Sequence, residues 1–358
     1  MKETITFIVP AYNAESTIRQ TIDSILCQTT ENYRVLIVDD GSRDATGAIS
    51  RQYAADYPDK ITYLYQDNKG LGGARNLGIE KVETGYLSFL DSDDWLMPDY
   101  VERIGTCLEK YKEGQLPEMI LVLPVIYDER SRRYSDWYDK ERFEQIFHED
   151  GAVINPSDIM EVYQLEVSMC RKVVRADFLR KISFRFREGI KWEDVVPHFY
   201  LLSNCHFCMG IINTGFYYRI GIRGQITASR GRERLDFIKV MEELMSFLTQ
   251  CGNEKLIFPV MRVIIRFSVW CIRMADCDVR VELVERLHQI YRRMPSVYPK
   301  ILWQEAKKQY PLYDAMQYLM FWISIRYPCF HFIWKDYLWQ EICSRIVKKM
   351  LHAKERVS

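Results

Sequence analysis

Tyr86-Leu87-Ser88-Phe89-Leu90-Asp91-Ser92-Asp93-Asp94 is the stretch on which the reading of this chain turns. An apolar run that follows Gly85 and stops abruptly in carboxylates reads as a buried strand carrying acids to a sheet edge. Side chains alternate along a strand, so Asp91 and Asp93 are expected to leave on the same side. Carboxylates held that close repel unless a positive charge sits between them, and a hard divalent cation suits oxygen donors. Such a cation would in turn call for an anionic ligand, and a diphosphate fits. A solvated loop opening an acidic helix cap, with Pro98 and Asp99 following, is the alternative on this stretch alone.

The chain of 358 residues is long enough for one large domain with an appendage, or for two domains. With 48% hydrophobic and 13% aromatic residues it packs as a globule and is not a disordered chain. Lys plus Arg and Asp plus Glu both number 49, so no overall field draws nucleic acid to it. Met1 to Glu3 leads straight into an apolar run, with no basic segment and apolar core of an export signal. The ten scattered cysteines are therefore expected to be reduced thiols in a cytoplasmic protein. Cys205-His206-Phe207-Cys208 lacks a second pair at zinc spacing and reads as core cysteine.

Working outward, residues 4–9 form a first strand that Pro10-Ala11-Tyr12-Asn13 is expected to break. Asn13 is placed to cap a helix whose face is Ile18, Ile22, Ile25 and Leu26. Residues 33–38 form a second strand ending in Asp39-Asp40-Gly41-Ser42, with Ser42 or Asp44 as cap of the helix after it. A third strand covers 61–65. Asn68-Lys69-Gly70-Leu71-Gly72-Gly73 reads as a turn opening a helix at Ala74, through either tight-turn geometry or phosphate contact. Strands starting near 5, 34, 61 and 86 are spaced for βαβ units and a mostly parallel sheet. Parallel strands share one carboxyl edge, so Tyr12, Asp39 and the Asp91 to Asp93 carboxylates converge on a crevice suited to a nucleotide.

Beyond a helix at 98–111 and a strand at 119–126, residues 127–150 are charged and aromatic without periodicity, the pattern of a loop or lid. A helix near 157–165 and a strand near 168–174 lead to Trp192-Glu193-Asp194. A carboxylate against an aromatic wall gains proton affinity by desolvation, as a general base requires; a helix N-terminus carrying acids is the other reading.

Phe7-Ile8-Val9-Pro10-Ala11-Tyr12-Asn13, Val38-Asp39-Asp40-Gly41-Ser42, Gly72-Gly73-Ala74-Arg75-Asn76, Leu90-Asp91-Ser92-Asp93-Asp94-Trp95 and Trp192-Glu193-Asp194 resemble glycosyltransferase family 2 in order and spacing, across residues 4 to about 228. The resemblance implies an α/β GT-A fold, a Rossmann-like mixed sheet flanked by helices, and inversion at the anomeric carbon. It implies a domain at 1–232, split into a nucleotide-sugar half (1–114) and an acceptor half (115–232), with a helical C-terminal region at 233–358. It implies that Tyr12 stacks on the nucleotide base, Asp39 accepts from the base imide, and Pro10, Asn13, Glu15 and Asp40 line the donor. Asn68, Gly72, Arg75, Asn76 and Ser92 join that donor set. Asp93 would hold Mn2+ or Mg2+ with Asp91 beside it, Asp194 would be the base, and Trp192 and Glu193 would bind the acceptor sugar. Tyr217-Tyr218-Arg219 and Gln225-Ile226-Thr227 resemble the family's basic closing segment, in which Arg219 or Arg223 reaches the phosphates.

The activity so implied is a metal-dependent hexosyl transfer from a nucleotide diphosphate, UDP foremost, to a hydroxyl of a glycan or lipid-linked acceptor in surface polysaccharide assembly. Its rivals are a polyprenyl-phosphate sugar synthase and a nucleotide-sugar-binding protein without turnover. In the last third, Arg262, Arg266 and Arg273 share one face of an apolar helical run. Residues 318–334 are aromatic but interrupted by Arg326 and Pro328, too broken to span a bilayer. With Arg345, Lys348, Lys349, Lys354 and Arg356 behind them, they could lie on the inner face of the cell membrane, or pack on the catalytic domain or a second copy in a homodimer.

Overall fold

The computed structural model describes residues 3–83, 85–112, 114–222, 225 and 228–309. The early apolar runs become parallel strands β1 (Ile5–Ala11), β2 (Tyr33–Asp39), β3 (Ile61–Tyr65) and β4 (Tyr86–Phe89), in spatial order β3-β2-β1-β4. The order reverses at β1, which is flanked by β2 and β4, and this is where an open sheet leaves a crevice at its carboxyl edge. Pro10 lies inside β1 and does not break it. The β1 backbone turns alternate residues toward opposite neighbours: Ala11 accepts from Asp40 on the β2 side, Ile8 from Leu90 on the β4 side. Pro10 therefore faces the β4 side, past the last paired residue Phe89, where a missing N–H breaks no ladder bond.

The sheet continues through β9 (Lys172–Arg175), antiparallel to both β4 and β6 (Met119–Asp128), then β10 (Cys208–Ile220), parallel to β6, and β5 (Trp95–Leu96) at the edge. The expected loop at 127–150 is structured. β6 runs on to Asp128, β7 (Arg133–Asp136) folds back on it with Tyr127 opposite Tyr134, and α5 (Lys140–Phe147) buries Phe143, Ile146 and Phe147. All of β7 is exposed, which is why no alternation shows in its sequence. The helix expected near 157–165 is a 3-10 turn, Met160–Gln164.

The helix expected to open at Ala74 instead starts at Gly70, so the glycines lie inside α3 (Gly70–Glu80). They let it approach closely: a Cβ on Gly72 would stand 2.4 Å from the Arg187 carbonyl oxygen, and one on Gly78 2.5 Å from Ile8 of β1. Helix α1 (Ile18–Leu26) buries Ile18, Ile22 and Ile25, but Asn13 is not its cap.

The chain divides into two compact units, Met1–Ala228 and Ser229–Ser358. In the second, α8 (Asp236–Cys251), α10 (Cys277–Arg293) and α11 (Val297–Gln309) each pack on α9 (Ile257–Met274). Its buried cation is Arg234, over the Trp270 ring at 4.0 Å and donating to the Ser229 carbonyl. Arg266 and Arg273 are exposed on α9, Arg262 partly so. No described helix is long and apolar enough to cross a membrane. The aromatic segment 318–334 and the basic residues from Arg345 to Arg356 lie outside the described residues.

Because Gly78 sets the distance between α3 and β1, Gly78→Val should lower unfolding stability by about 2–3 kcal/mol, read from the denaturant midpoint. An unchanged midpoint would show that Ile8 can yield and that the contact is not tight.

Candidate active site

Arg75 on α3 is fully buried and pairs with two carboxylates from distant segments. One terminal nitrogen donates to Asp91 Oδ1 at 3.0 Å, the other to Glu193 Oε1 at 2.6 Å. Its guanidinium lies over the Phe89 and Phe186 rings, which fix its plane. The pair of ion pairs therefore ties the end of β4 to the loop before α7 (Val195–Asn204).

β4 ends at Phe89, so the acids lie in a turn, closed by the Asp94 amide donating to the Asp91 carbonyl at 3.0 Å. Strand alternation does not apply there. Beside Asp93 in this turn, Asp91 and Asp94 offer donor atoms within 4.8 Å of one another and of Cys170. Arg219 clamps the turn. Its amide donates to Asp94 Oδ1 (2.8 Å), its Nε to the Asp93 carbonyl (2.8 Å), and its terminal nitrogens to Glu129 and Gln20. Arg219 is thus buried and engaged; Arg223, Ile226 and Thr227 lie outside the described residues, while the Gln225 amide donates to the Arg219 carbonyl at 2.7 Å.

Arg75 is shared with Glu193, and none of the described hydrogen bonds from the Arg219 guanidinium reaches an Asp carboxylate of the turn. Burial and then the Asp91 charge push the Asp93 carboxyl up to about 6. Burial, Asp93 and Asp91 push the Asp94 carboxyl well up too, and its Oδ2 is buried with no partner among the described residues. A cluster of oxygen donors short of positive charge, one of them unsatisfied, fits a hard dication.

The first loops are tied together. Asn13, with φ of 51°, donates from its amide to Ser42 Oγ (3.1 Å) and accepts from the Arg43 amide (2.9 Å). It joins the ends of β1 and β2 and caps nothing. Glu15 accepts from the Ala45 amide at 2.9 Å, beside α2 (Thr46–Asp56). Asp39 is 2% exposed, accepting from the Ser42 amide (2.9 Å) and the Tyr63 hydroxyl (2.8 Å). Asp40 accepts from the Lys69 and Gly70 amides at 2.8 and 2.9 Å, capping α3 from β2. Asn76 exchanges two hydrogen bonds with the Phe186 backbone. Asp39, Asp40, Asn76 and Gly72 thus form the frame of the crevice, while Tyr12 (48% exposed), Asn13, Glu15 and Asn68 are exposed. Ser92 is half-buried in the acidic turn.

On the other side, Trp192 takes a left-handed φ of 58° and is 7% exposed, a wall and not an open platform. Burial and neighbouring Glu193 push the half-buried Asp194 carboxyl up to about 7, against the pull of Arg75 and Lys172. Behind it sits a group that sequence reasoning missed. Buried Lys172 donates to the Val167 and Ser168 carbonyls (2.8 and 2.7 Å), Glu166 accepts from the Ser168 amide (2.8 Å), and Arg171 pairs with Asp139 at 2.9 Å. Burial and Arg171 bring the Lys172 ammonium down to about 7. Glu166 and Lys172 share no spacing that a motif would reveal; a 3-10 turn, Met169–Arg171, brings them together. Cys205 and Cys208 are buried thiols, and no disulfide forms among the described residues.

Residues 6–167 match the family described as Glycosyl transferase family 2. Glycosyltransferase GlyA of Streptococcus pneumoniae is 42% identical over 108 residues, 30% of this chain and 15% of GlyA. Putative glycosyltransferase EpsH of Bacillus subtilis is 40% identical over 100 residues, 28% of this chain and 29% of EpsH. The chain thus spans less than a third of the length of these relatives. The crystal structure of S. aureus TarS 1-349 in complex with UDP-GlcNAc superposes with a TM-score of 0.65 at 15% identity, covering 90% of each chain, and shares the GT-A fold.

Removing the shared cation should leave buried Glu193 and half-buried Asp91 uncompensated. Arg75→Met is expected to cost about 3–5 kcal/mol of stability. Burial already raises the Glu193 carboxyl against the pull of Arg75, and without that cation it rises further, so the loss should be larger at about pH 8 than at about pH 5, where Glu193 can take up a proton. Equal losses at both pH values would show that the two ion pairs are not the source.

Proposed function

Since its residues 6–167 make the chain a member of glycosyltransferase family 2, we propose that it is an inverting hexosyltransferase using a UDP-sugar donor and a hydroxyl of a glycan or lipid-linked acceptor in surface polysaccharide assembly. The observation that carries this reading is the Arg75 bridge, which holds the Asp91 turn and the Glu193-Asp194 loop at one crevice. The TarS likeness, to a structure with UDP-GlcNAc, supports the UDP donor, and the relatives named as glycosyltransferases support the reaction class.

Tyr12, exposed at the end of β1, offers a ring for the base, and Asn68 lines the same edge. Asp91, Asp93 and Asp94 would hold Mn2+ or Mg2+, which when bound supplies positive charge to the departing diphosphate. Asp194 acts as base: its ionised carboxylate takes the acceptor hydroxyl proton while that oxygen bonds to the anomeric carbon, opposite the breaking bond to the diphosphate. A single displacement inverts the centre, and one catalytic carboxylate suffices, where a glycoside hydrolase would need two. Trp192 and Glu193 shape the acceptor side from beneath, keeping Asp194 desolvated and its proton affinity high.

The base must be ionised, so transfer should fall about tenfold per pH unit below about 7 and level off above it, the profile being read as kcat against pH. Asp194→Asn should abolish transfer while leaving metal-dependent UDP binding unchanged by calorimetry; loss of both would remove its role as base. Asp93→Ala should weaken UDP binding at least about tenfold with Mn2+ present and little without it. Equal affinity in both conditions would place the cation elsewhere.

A further inference from the structure

Beside the acidic turn, four aromatic rings from four strands meet on one face of the sheet. Trp95 of β5 stacks on Tyr217 of β10 (4.9 Å between centroids, 21° between planes) and meets Tyr127 of β6 edge-on at 5.3 Å. Tyr134 of β7 touches both Tyr127 (5.1 Å) and Tyr217 (5.5 Å), closing the ring. Strand register puts them there: Tyr217 lies opposite Trp95, and Tyr127 opposite Tyr134. Trp95, Tyr127 and Tyr217 are half-buried, whereas Tyr134 is 59% exposed on top. An open aromatic surface built from cross-strand pairs is more than a folding core needs, since its outermost ring buries little.

The chemistry of the patch narrows its occupant. Its cation, Arg219, lies over the Trp95 ring at 4.6 Å, but its guanidinium is buried and already donates to Glu129, Gln20 and the Asp93 carbonyl. Among the described residues, the cation over these rings is therefore already committed and not free for a phosphate or an anionic headgroup. What remains is a neutral face of aromatic carbon rimmed by phenol hydroxyls; burial and neighbouring Tyr134 push the Tyr217 phenol up, keeping it a donor at neutral pH. A pyranose ring has the matching form, an apolar C–H face edged by hydroxyls. The patch also adjoins the candidate site: Trp95 follows Asp94, and Arg219 holds both the turn and the rings.

We propose that the Trp95, Tyr127, Tyr134 and Tyr217 surface is a binding subsite for a neutral sugar unit of an extended glycan acceptor, one or more units away from the reacting hydroxyl. This rests on the transferase reading above. Tyr134 supplies the stacking face, and the three rings beneath hold it in place, so the subsite is formed before the glycan arrives.

The test titrates cellotetraose, chitotetraose and maltotetraose into the full chain, followed by saturation-transfer NMR, with UDP affinity measured in parallel by calorimetry. At least one tetrasaccharide should bind the wild type at up to about 10 mM. Its affinity should drop about tenfold or more in Tyr134→Ala and stay within about twofold in Tyr134→Phe, which keeps the ring, with UDP affinity equal in all three proteins. No binding to the wild type, or equal binding to Tyr134→Ala, overturns the subsite while intact UDP binding leaves the transferase reading standing. Binding of phosphatidylglycerol vesicles that Tyr134→Ala removes would overturn it in favour of a membrane contact. A wild type that binds tetrasaccharide and no UDP would overturn the acceptor role through failure of the donor reading itself.

Discussion

A guanidinium buried between two carboxylates is the constraint on which this catalytic unit depends. Taking Arg75, Asp91 and Glu193 out of water costs several kcal/mol per ion, recovered only if the pairing geometry is held. The fold holds it from three sides: α3 carries the cation, the turn after β4 carries one carboxylate, and the loop before α7 carries the other. Gly72 and Gly78 let α3 sit close enough to do so, and Asp40 caps its first turn from the end of β2. The glycine-rich segment thus gives the close packing that seats Arg75 between its two carboxylates.

That arrangement separates two electrostatic environments only a few bonds apart. On the β4 side the acids crowd one another: burial and Asp91 push Asp93 upward, and burial, Asp93 and Asp91 push Asp94 upward, against the pull of Arg219. On the α7 side, Asp194 is raised by burial and Glu193 but steadied by Arg75 and Lys172, which leaves it near neutrality. One side is suited to attract a cation and a diphosphate, the other to take up a proton. Arg75 serves both, so neither environment can be changed without the other responding.

Much of this was legible in the residues. Continuous apolar runs at βαβ spacing gave the parallel half of the sheet, and the acids past Val38 and Leu90 marked its carboxyl edge. The parts that were not legible share a physical cause: they are set by tertiary register, which leaves no local pattern. β7 is exposed on every residue, so it reads as loop until Tyr134 finds Tyr127 across the hairpin. Asp39, Asp40 and Asn76 also hold the frame, through bonds to backbone and to Tyr63, Gln66 and Glu188 that no local pattern announces. Asp94 joins Asp91 beside Cys170 because the chain turns at Asp91 and abandons strand alternation. Glu166 and Lys172 come together through a 3-10 turn that no periodicity announces.

If Arg75 spans the working crevice, nucleotide, cation and base meet there. A crystal structure of the chain with UDP and Mn2+, with the metal located by its anomalous scattering, tests this most directly. A manganese peak should lie on carboxylates of the Asp91 to Asp94 turn, with uracil against Tyr12 and Asp194 facing the diphosphate across open space. Manganese or UDP bound away from that turn, or Asp194 shut off from the crevice by intervening chain, would contradict it.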